Sequence, residues 1–259
     1  MIVCIYSIVI FVATFLGAIA GLGGGVIIKP ILDLLGFHDI SNISFISTVA
    51  VFSMSMYAIV KNIVAGEKIP WQLIVLIALG AMVGGNVGNY TFNKILEIFP
   101  ATLLSILQAM ILTLLLVFVL INMNKDIYKW HIKNKYAFII VGIILGFISS
   151  FLGIGGGPIN VAIFVLLFNL ELKQAIICSL ATIVFSQGSK LITIAISTGF
   201  EMYDIKVLFY IIPIAIIGGV LGSYFNKKIA AHSIQRVFNI TIVGIIILNI
   251  IIVVRNIIC

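Results

Sequence analysis

Charged side chains make up only 9% of these 259 residues, with eight acidic groups in all, whereas a soluble globular domain carries about 25%. A soluble catalytic or nucleic-acid-binding domain therefore has no polar shell from which to be built. Cysteine is equally sparse: Cys4, Cys178 and Cys259 are far apart, odd in number and form no CxxC pair, which excludes a disulfide framework and a cysteine zinc site. Three histidines, His38, His131 and His232, stand alone near segment ends. None belongs to the His-Glu-x-x-His pattern of a metalloprotease, and none sits within an apolar run beside a strained serine turn. Their expected state is solvated, and enzyme chemistry is not expected. Nothing resembles a phosphate-binding P-loop, so any transport would draw on a gradient or a partner. No cofactor is implied.

What the chain has instead is apolar length. It is 63% hydrophobic, with a mean hydropathy of +1.32. Charge-free stretches run over Ile2–Ala20, Ile43–Val60, Trp71–Tyr90, Ala101–Met123, Tyr136–Leu152, Val207–Phe225 and Val237–Val254, and Ala175–Ile196 is broken only by Lys190. Each is near the roughly 17 to 25 residues that cross a bilayer as a helix. The first lacks the basic start and cleavage pattern of a signal peptide and is expected to remain as a helix. The net charge of +7 fits basic loops held on the cytoplasmic side better than a nucleic-acid surface.

The sequence repeats itself. Gly21-Leu22-Gly23-Gly24-Gly25 returns 132 residues later as Gly153-Ile154-Gly155-Gly156-Gly157. Gly84-Gly85-Asn86-Val87-Gly88-Asn89-Tyr90 has a counterpart in Gly218-Gly219-Val220-Leu221-Gly222-Ser223-Tyr224, 134 residues on. The chain thus divides into a first membrane repeat (1–123), a basic cytoplasmic linker (124–135) and a second membrane repeat (136–259). Each repeat holds about five apolar segments, giving an all-α membrane protein of 8 to 10 segments. The segments after the glycines, Val26–Phe37 and Pro158–Leu170, are too short to span a core of about 30 Å and suggest broken or re-entrant helices.

Basic residues discriminate between topologies. If the short segments pass between sides, the halves are inverted. Lys61, Lys68, Lys125, Lys129, Lys133, Lys135, Lys173, Lys227, Lys228 and Arg236 then share a face opposite Lys94, Lys190, Lys206 and Arg255, ten against four. If those segments return to their own side, the split is nine against five. The inverted arrangement is favoured, with the linker cytoplasmic and both termini outside.

The repeated GLGGG/GIGGG motif, each copy followed by a short apolar segment and then a small or hydroxylated helix start (Ile46-Ser47-Thr48; Cys178-Ser179-Leu180), resembles the TauE/SafE sulfite exporter family, the toluene-sulfonate uptake permease group. The resemblance covers essentially the whole chain. It implies an inner-membrane permease for a sulfur-containing anion such as sulfite, a sulfonate or sulfoacetate. The family usually continues with an apolar residue and Pro, where this chain has Val26-Ile27-Ile28-Lys29-Pro30. A non-transporting assembly or accessory protein, or a permease for an unrelated solute, are the alternatives.

Chemistry points the same way. Helix starts leave about four amides unpaired and attract anions, and glycine lets an oxyanion approach the backbone. Gly21, Gly23, Gly24, Gly25, Gly153, Gly155, Gly156 and Gly157 are therefore candidate binding positions, with close packing as the competing role. The glycines of the second motif read as packing residues on long helices. Lys29 and Asp33 are four apart on one helix face, either a substrate site or a self-neutralising ion pair; their repeat equivalents are Val161 and Val165. Lys190 is expected to snorkel to the surface. Thr48, Ser149, Ser150, Asn160, Ser179, Thr182 and Gln187 are candidates to line a path, although hydroxyls also bond their own helices. The expected partners are a small anion and the lipid bilayer.

Overall fold

The computed structural model describes residues 2–67, 69–124, 130, 132, 134–197, 199–201 and 203–258. Lys68, Lys125, Lys129, His131, Lys133 and Cys259 lie outside the described residues. The rest is helical: α1 (Ile2–Ala20), α2 (Gly25–Leu35), α3 (Ile40–Val64), α4 (Trp71–Ile98), α5 (Ala101–Asn124), α6 (Lys135–Leu152), α7 (Gly157–Leu166), α8 (Leu172–Ser197), α9 (Ile205–Lys228) and α10 (Ala231–Ile258), with no strand among the described residues. Eight are long and apolar enough to cross a membrane. The remaining two, α2 and α7, have 11 and 10 residues, about 15 Å each at 1.5 Å per residue.

The long helices start and stop near the apolar runs, but several reach further. α4 carries on through Asn93, Lys94 and Glu97, because a helix can run past the hydrocarbon once its side chains meet water. Ser47-Thr48 and Ser179 fall well inside α3 and α8 rather than at helix starts. Positive φ occurs at Gly21, Gly23 and Gly24 and again at Gly153, Gly155 and Gly156. Those left-handed residues end α1 and α6 and turn the chain into the short helices, a conformation costly for any residue with a Cβ.

Loop contacts sort the helix ends into two groups. At one end His38, after α2, meets Tyr6 of α1 (2.9 Å) and Asp204, before α9 (3.7 Å). The Asp204 amide there donates to Asn42 at 3.2 Å, and Arg255 of α10 donates to the Leu34 carbonyl at 2.5 Å. At the other end Lys227 pairs with Glu67 at 3.3 Å, and Gln235 donates to the Met123 carbonyl at 3.0 Å. The Trp130 and Ile132 amides donate to the carbonyls of Leu166 and Leu167 (2.9 and 3.1 Å). Thus α2 leads back to the end where α1 began, and α7 to the end where α6 began. The loops after α2 and after α7 lie at opposite ends. His38 is accordingly engaged rather than solvated, while His232 is exposed.

α3 and α8 are the most enclosed long helices. They pack on each other, with α2 against α3 and α7 against α8. Around them α1 packs on α9 and α4 on α6. Small residues make those two contacts close: a Cβ on Gly84 or Gly88 would strike the backbone of Ile143 or Phe147, and one on Gly222 the Phe15 carbonyl. Close backbone approach of this kind is the usual basis of helix packing in lipid, as the sequence led us to expect for these glycines.

Candidate functional site

The two glycine turns meet inside the bundle. A Cβ on Gly25 would collide with the Ile154 carbonyl, and one on Gly157 with the Leu22 carbonyl, so each turn seats against the other. Ser179 of α8 fastens them, its hydroxyl reaching the carbonyls of Gly21 (2.9 Å) and Gly157 (3.3 Å). Val51 of α3 lies between them, its methyls 3.1, 3.2 and 3.4 Å from the positions that Cβ atoms would occupy on Gly25, Gly155 and Gly23.

Not every turn glycine faces open space. At Gly24 a side chain would meet the Ala13 carbonyl at 3.0 Å, and at Gly156 the Ser149 side chain. Both residues also precede the first turns of the short helices, whose leading amides have no carbonyl within their own helix. Gly21 abuts Ile176, and Gly23 abuts Ile183. Gly153 is different: its Cβ position is 2.8 Å from Ser44 Oγ and 3.4 Å from Lys29 Nζ.

Lys29 is buried, 3% exposed. Its ammonium donates to Gln108 Oε1 of α5 at 2.5 Å and to the Leu152 carbonyl at 2.7 Å. Gln108 is itself held by donating to the Phe151 carbonyl at 2.5 Å. No ion pair joins Lys29 to Asp33 among the described residues, although they share a small cavity. The i,i+4 spacing puts the two side chains on one face, but the lysine stem extends toward α5 and the α6 terminus instead. Asp33 feels the charge of Lys29 first and of Arg255 second, without an ion pair to either, and Arg255 donates to the Asp33 backbone carbonyl at 3.2 Å.

Lys190 does not snorkel. It is 3% exposed and donates to Ser44 Oγ at 2.9 Å, because its position on α8 faces α3 rather than lipid. It stands at the base of a cavity of about 360 Å³ that opens at the end carrying Asp39, Glu97 and Tyr203. Two lysines thus approach the Gly153 turn from different sides, and neither has a carboxylate within ion-pair distance among the described residues. In lipid an ionised group without a counter-charge costs about 2.5 kcal/mol or more even on insertion scales.

The remaining polar candidates divide. Thr48, Ser149 and Thr182 bond carbonyls of their own helices, at 2.7, 2.6 and 2.9 Å. Asn160 Oδ1, Gln187 Nε2, Ser150 Oγ and Ser47 Oγ are buried without a protein partner. Gln187 Nε2 is 3.9 Å from the Cβ position of Gly155. Sequence reasoning passed over Gln108 and Ser44. A single amide in the apolar run of α5 was the available signal for Gln108; nothing marked Ser44 apart from other membrane serines.

The family model described as "Sulfite exporter TauE/SafE" matches residues 6–249. The chain is 25% identical over 242 residues to probable membrane transporter protein MJ0441 of Methanocaldococcus jannaschii, covering 88% of each chain. It is 23% identical over 261 residues to probable membrane transporter protein YunE of Bacillus subtilis, covering 90% of this chain and 91% of that one. No solved structure matches it significantly. A match across nearly all of an all-helical membrane chain leaves one assignment: this protein belongs to the sulfite exporter TauE/SafE family.

Proposed function

We propose that the chain is a secondary permease of the plasma membrane for a small sulfur-containing anion of the sulfite, sulfonate or sulfoacetate kind, and that it is not an enzyme. The observation that carries the reading is the pair of buried lysines, Lys29 and Lys190, whose hydrogen-bond acceptors are all neutral. Buried positive charge without a carboxylate in ion-pair contact favours a visiting anion. The sulfur chemistry rests on the family's description.

The two repeats, 1–123 and 136–259, are inverted about the linker 124–135, with both termini outside. Loops at opposite ends after α2 and α7 support this, as does the gathering of Lys61, Lys227, Lys228 and Arg236 toward the linker end, which the positive-inside tendency makes cytoplasmic. The large cavity then opens to the outside. Glycine turns that cross near the middle of the bundle match the way inverted-repeat transporters assemble their sites from interrupted helices.

Proteoliposome flux tests the reading. Sulfite, sulfoacetate and thiosulfate are compared with a neutral solute of similar size. Saturable movement of at least one anion and none of the neutral solute is expected. Movement of the neutral solute alone would defeat the anion reading, and no movement of any solute by well-folded protein would favour an assembly or accessory role.

A further inference from the structure

On the basis of the anion-permease reading, we propose that Lys190, Lys29 and Gln187 form one binding site for a doubly charged oxyanion, beside the Gly153–Gly155 turn and reached through the cavity between Asp39 and Glu97. Lys190 was expected to snorkel to the surface, and among the described residues it is the only lysine lining that cavity.

Three features place the site there. First, Ser44 Oγ joins the two cations spatially. It accepts from Lys190 Nζ at 2.9 Å and lies 2.8 Å from the Gly153 Cβ position, which is itself 3.4 Å from Lys29 Nζ. Second, donors wait nearby without acceptors. Gln187 is one helical turn before Lys190, and its buried Nε2 has no partner; Ser47, one turn along α3 from Ser44, has an unpartnered buried Oγ. Buried polar groups are ordinarily satisfied, so these orphans point to a ligand with several acceptor oxygens. Third, the path ends just beyond, where Val51 and Ile183 pack against the turns.

Charge counting sets the valence. Two ammonium groups face the turn. The neighbouring acids make no ion pair with either lysine among the described residues: Glu97 accepts from Lys94 at 2.8 Å, Asp39 is exposed at the cavity mouth and bonds the neutral Asn42 amide, and Asp33 divides its field between Lys29 and Arg255 without contacting either ammonium or guanidinium through its carboxylate. A monoanion would leave one lysine uncompensated in a region with little water; a dianion such as thiosulfate, sulfate or fully ionised sulfite would neutralise both. At the repeat-related positions stand Val161, Ala58 and Ser55, and the Gly21 turn faces Ile176. There is one such site per chain, on the outer side.

Calorimetric binding to purified protein in detergent at neutral pH separates the possibilities. The probes are thiosulfate and sulfate as dianions, methanesulfonate as a monoanion with similar oxygen geometry, and dimethyl sulfone as the neutral form. Wild-type protein should bind a dianion at least about tenfold tighter than methanesulfonate, the value of one charge-assisted hydrogen bond. Lys190→Gln should abolish that preference, Lys190→Arg should keep it, and Gln187→Leu should weaken both anions by about threefold to tenfold. Equal affinity for dianion and monoanion in wild type, or a preference that survives Lys190→Gln, overturns the two-lysine site yet leaves the anion permease standing. Binding of dimethyl sulfone with no anion overturns both. Should Lys190→Gln fail to give folded protein by gel filtration, the wild-type comparison and Lys190→Arg decide alone.

Discussion

The two glycine turns share a pentapeptide pattern but have different neighbours. The first is lined by Ile176, Ile183 and the backbone of α1; the other faces Ser44, Lys29 and Gln187. The shared part is mechanical: each turn needs bare backbone because the other's carbonyl occupies the space. The unshared part is chemical. The same backbone joint is thus present at both pentapeptides, while Lys29 stands beside the one at Gly153.

The comparison breaks most completely if the joint is filled. Gly25→Leu or Gly157→Leu should destabilise by at least about 3 kcal/mol, since a side chain would have to displace a carbonyl rather than a flexible group. Gly24→Leu, set against the Ala13 carbonyl, should follow. The check is the yield of monodisperse protein; full yield with wild-type flux would show that the turns do not seat as described. A smaller effect sharpens the asymmetry. Lys29→Gln should raise the half-saturation for the transported anion about tenfold or more with protein level unchanged, and an unchanged half-saturation would return Lys29 to a structural role. Its repeat-related partner Val161→Leu should leave half-saturation within about twofold, as a volume-tolerant apolar exchange. The smallest effect is expected of Asp33→Asn. Lys29 and Asp33 share a cavity and act on each other electrostatically without a direct ion pair, so the double variant with Lys29→Gln should show a coupling of about 0.5 to 1 kcal/mol; strictly additive changes would show that the two charges do not sense each other. Cysteine labelling at Phe37–Asn42 and Asn169–Lys173 should report opposite faces, and labelling from one face would end the inverted arrangement.

Much of the frame was legible because a membrane helix is written in its length. Ile2–Ala20 and Lys135–Leu152 begin or end within a residue of the apolar runs, and the short segments were visible from the glycines that precede them. What the sequence did not carry was azimuth. In α8 a lysine facing α3 and one facing lipid interrupt the same apolar run, so Lys190 read as a snorkelling residue. Lys29 and Asp33 share a face, but four residues of spacing says nothing of where a long stem ends, and Gln108 captured it from 79 positions away. Ser179 was chosen as a possible contact for solute, and it ties backbone to backbone between the halves. The candidate site's donors come from α2, α3 and α8, and only tertiary packing sets those distances.

The reciprocal seating of the turns also bears on how the protein is made. Gly25 rests on the Ile154 carbonyl and Gly157 on that of Leu22, partners more than a hundred residues apart along the chain. During synthesis the first turn, with its glycine amides and carbonyls, reaches the bilayer long before its mate. The Gly21 carbonyl is met by the Ser179 hydroxyl of α8, and unsatisfied backbone is costly in lipid, so the first turn needs shielding by water, by other helices or by an insertase until α8 has been threaded. Completion of the fold is therefore a late event, and a ribosome stalled after α5 would leave the most glycine-rich part of the first half unfinished.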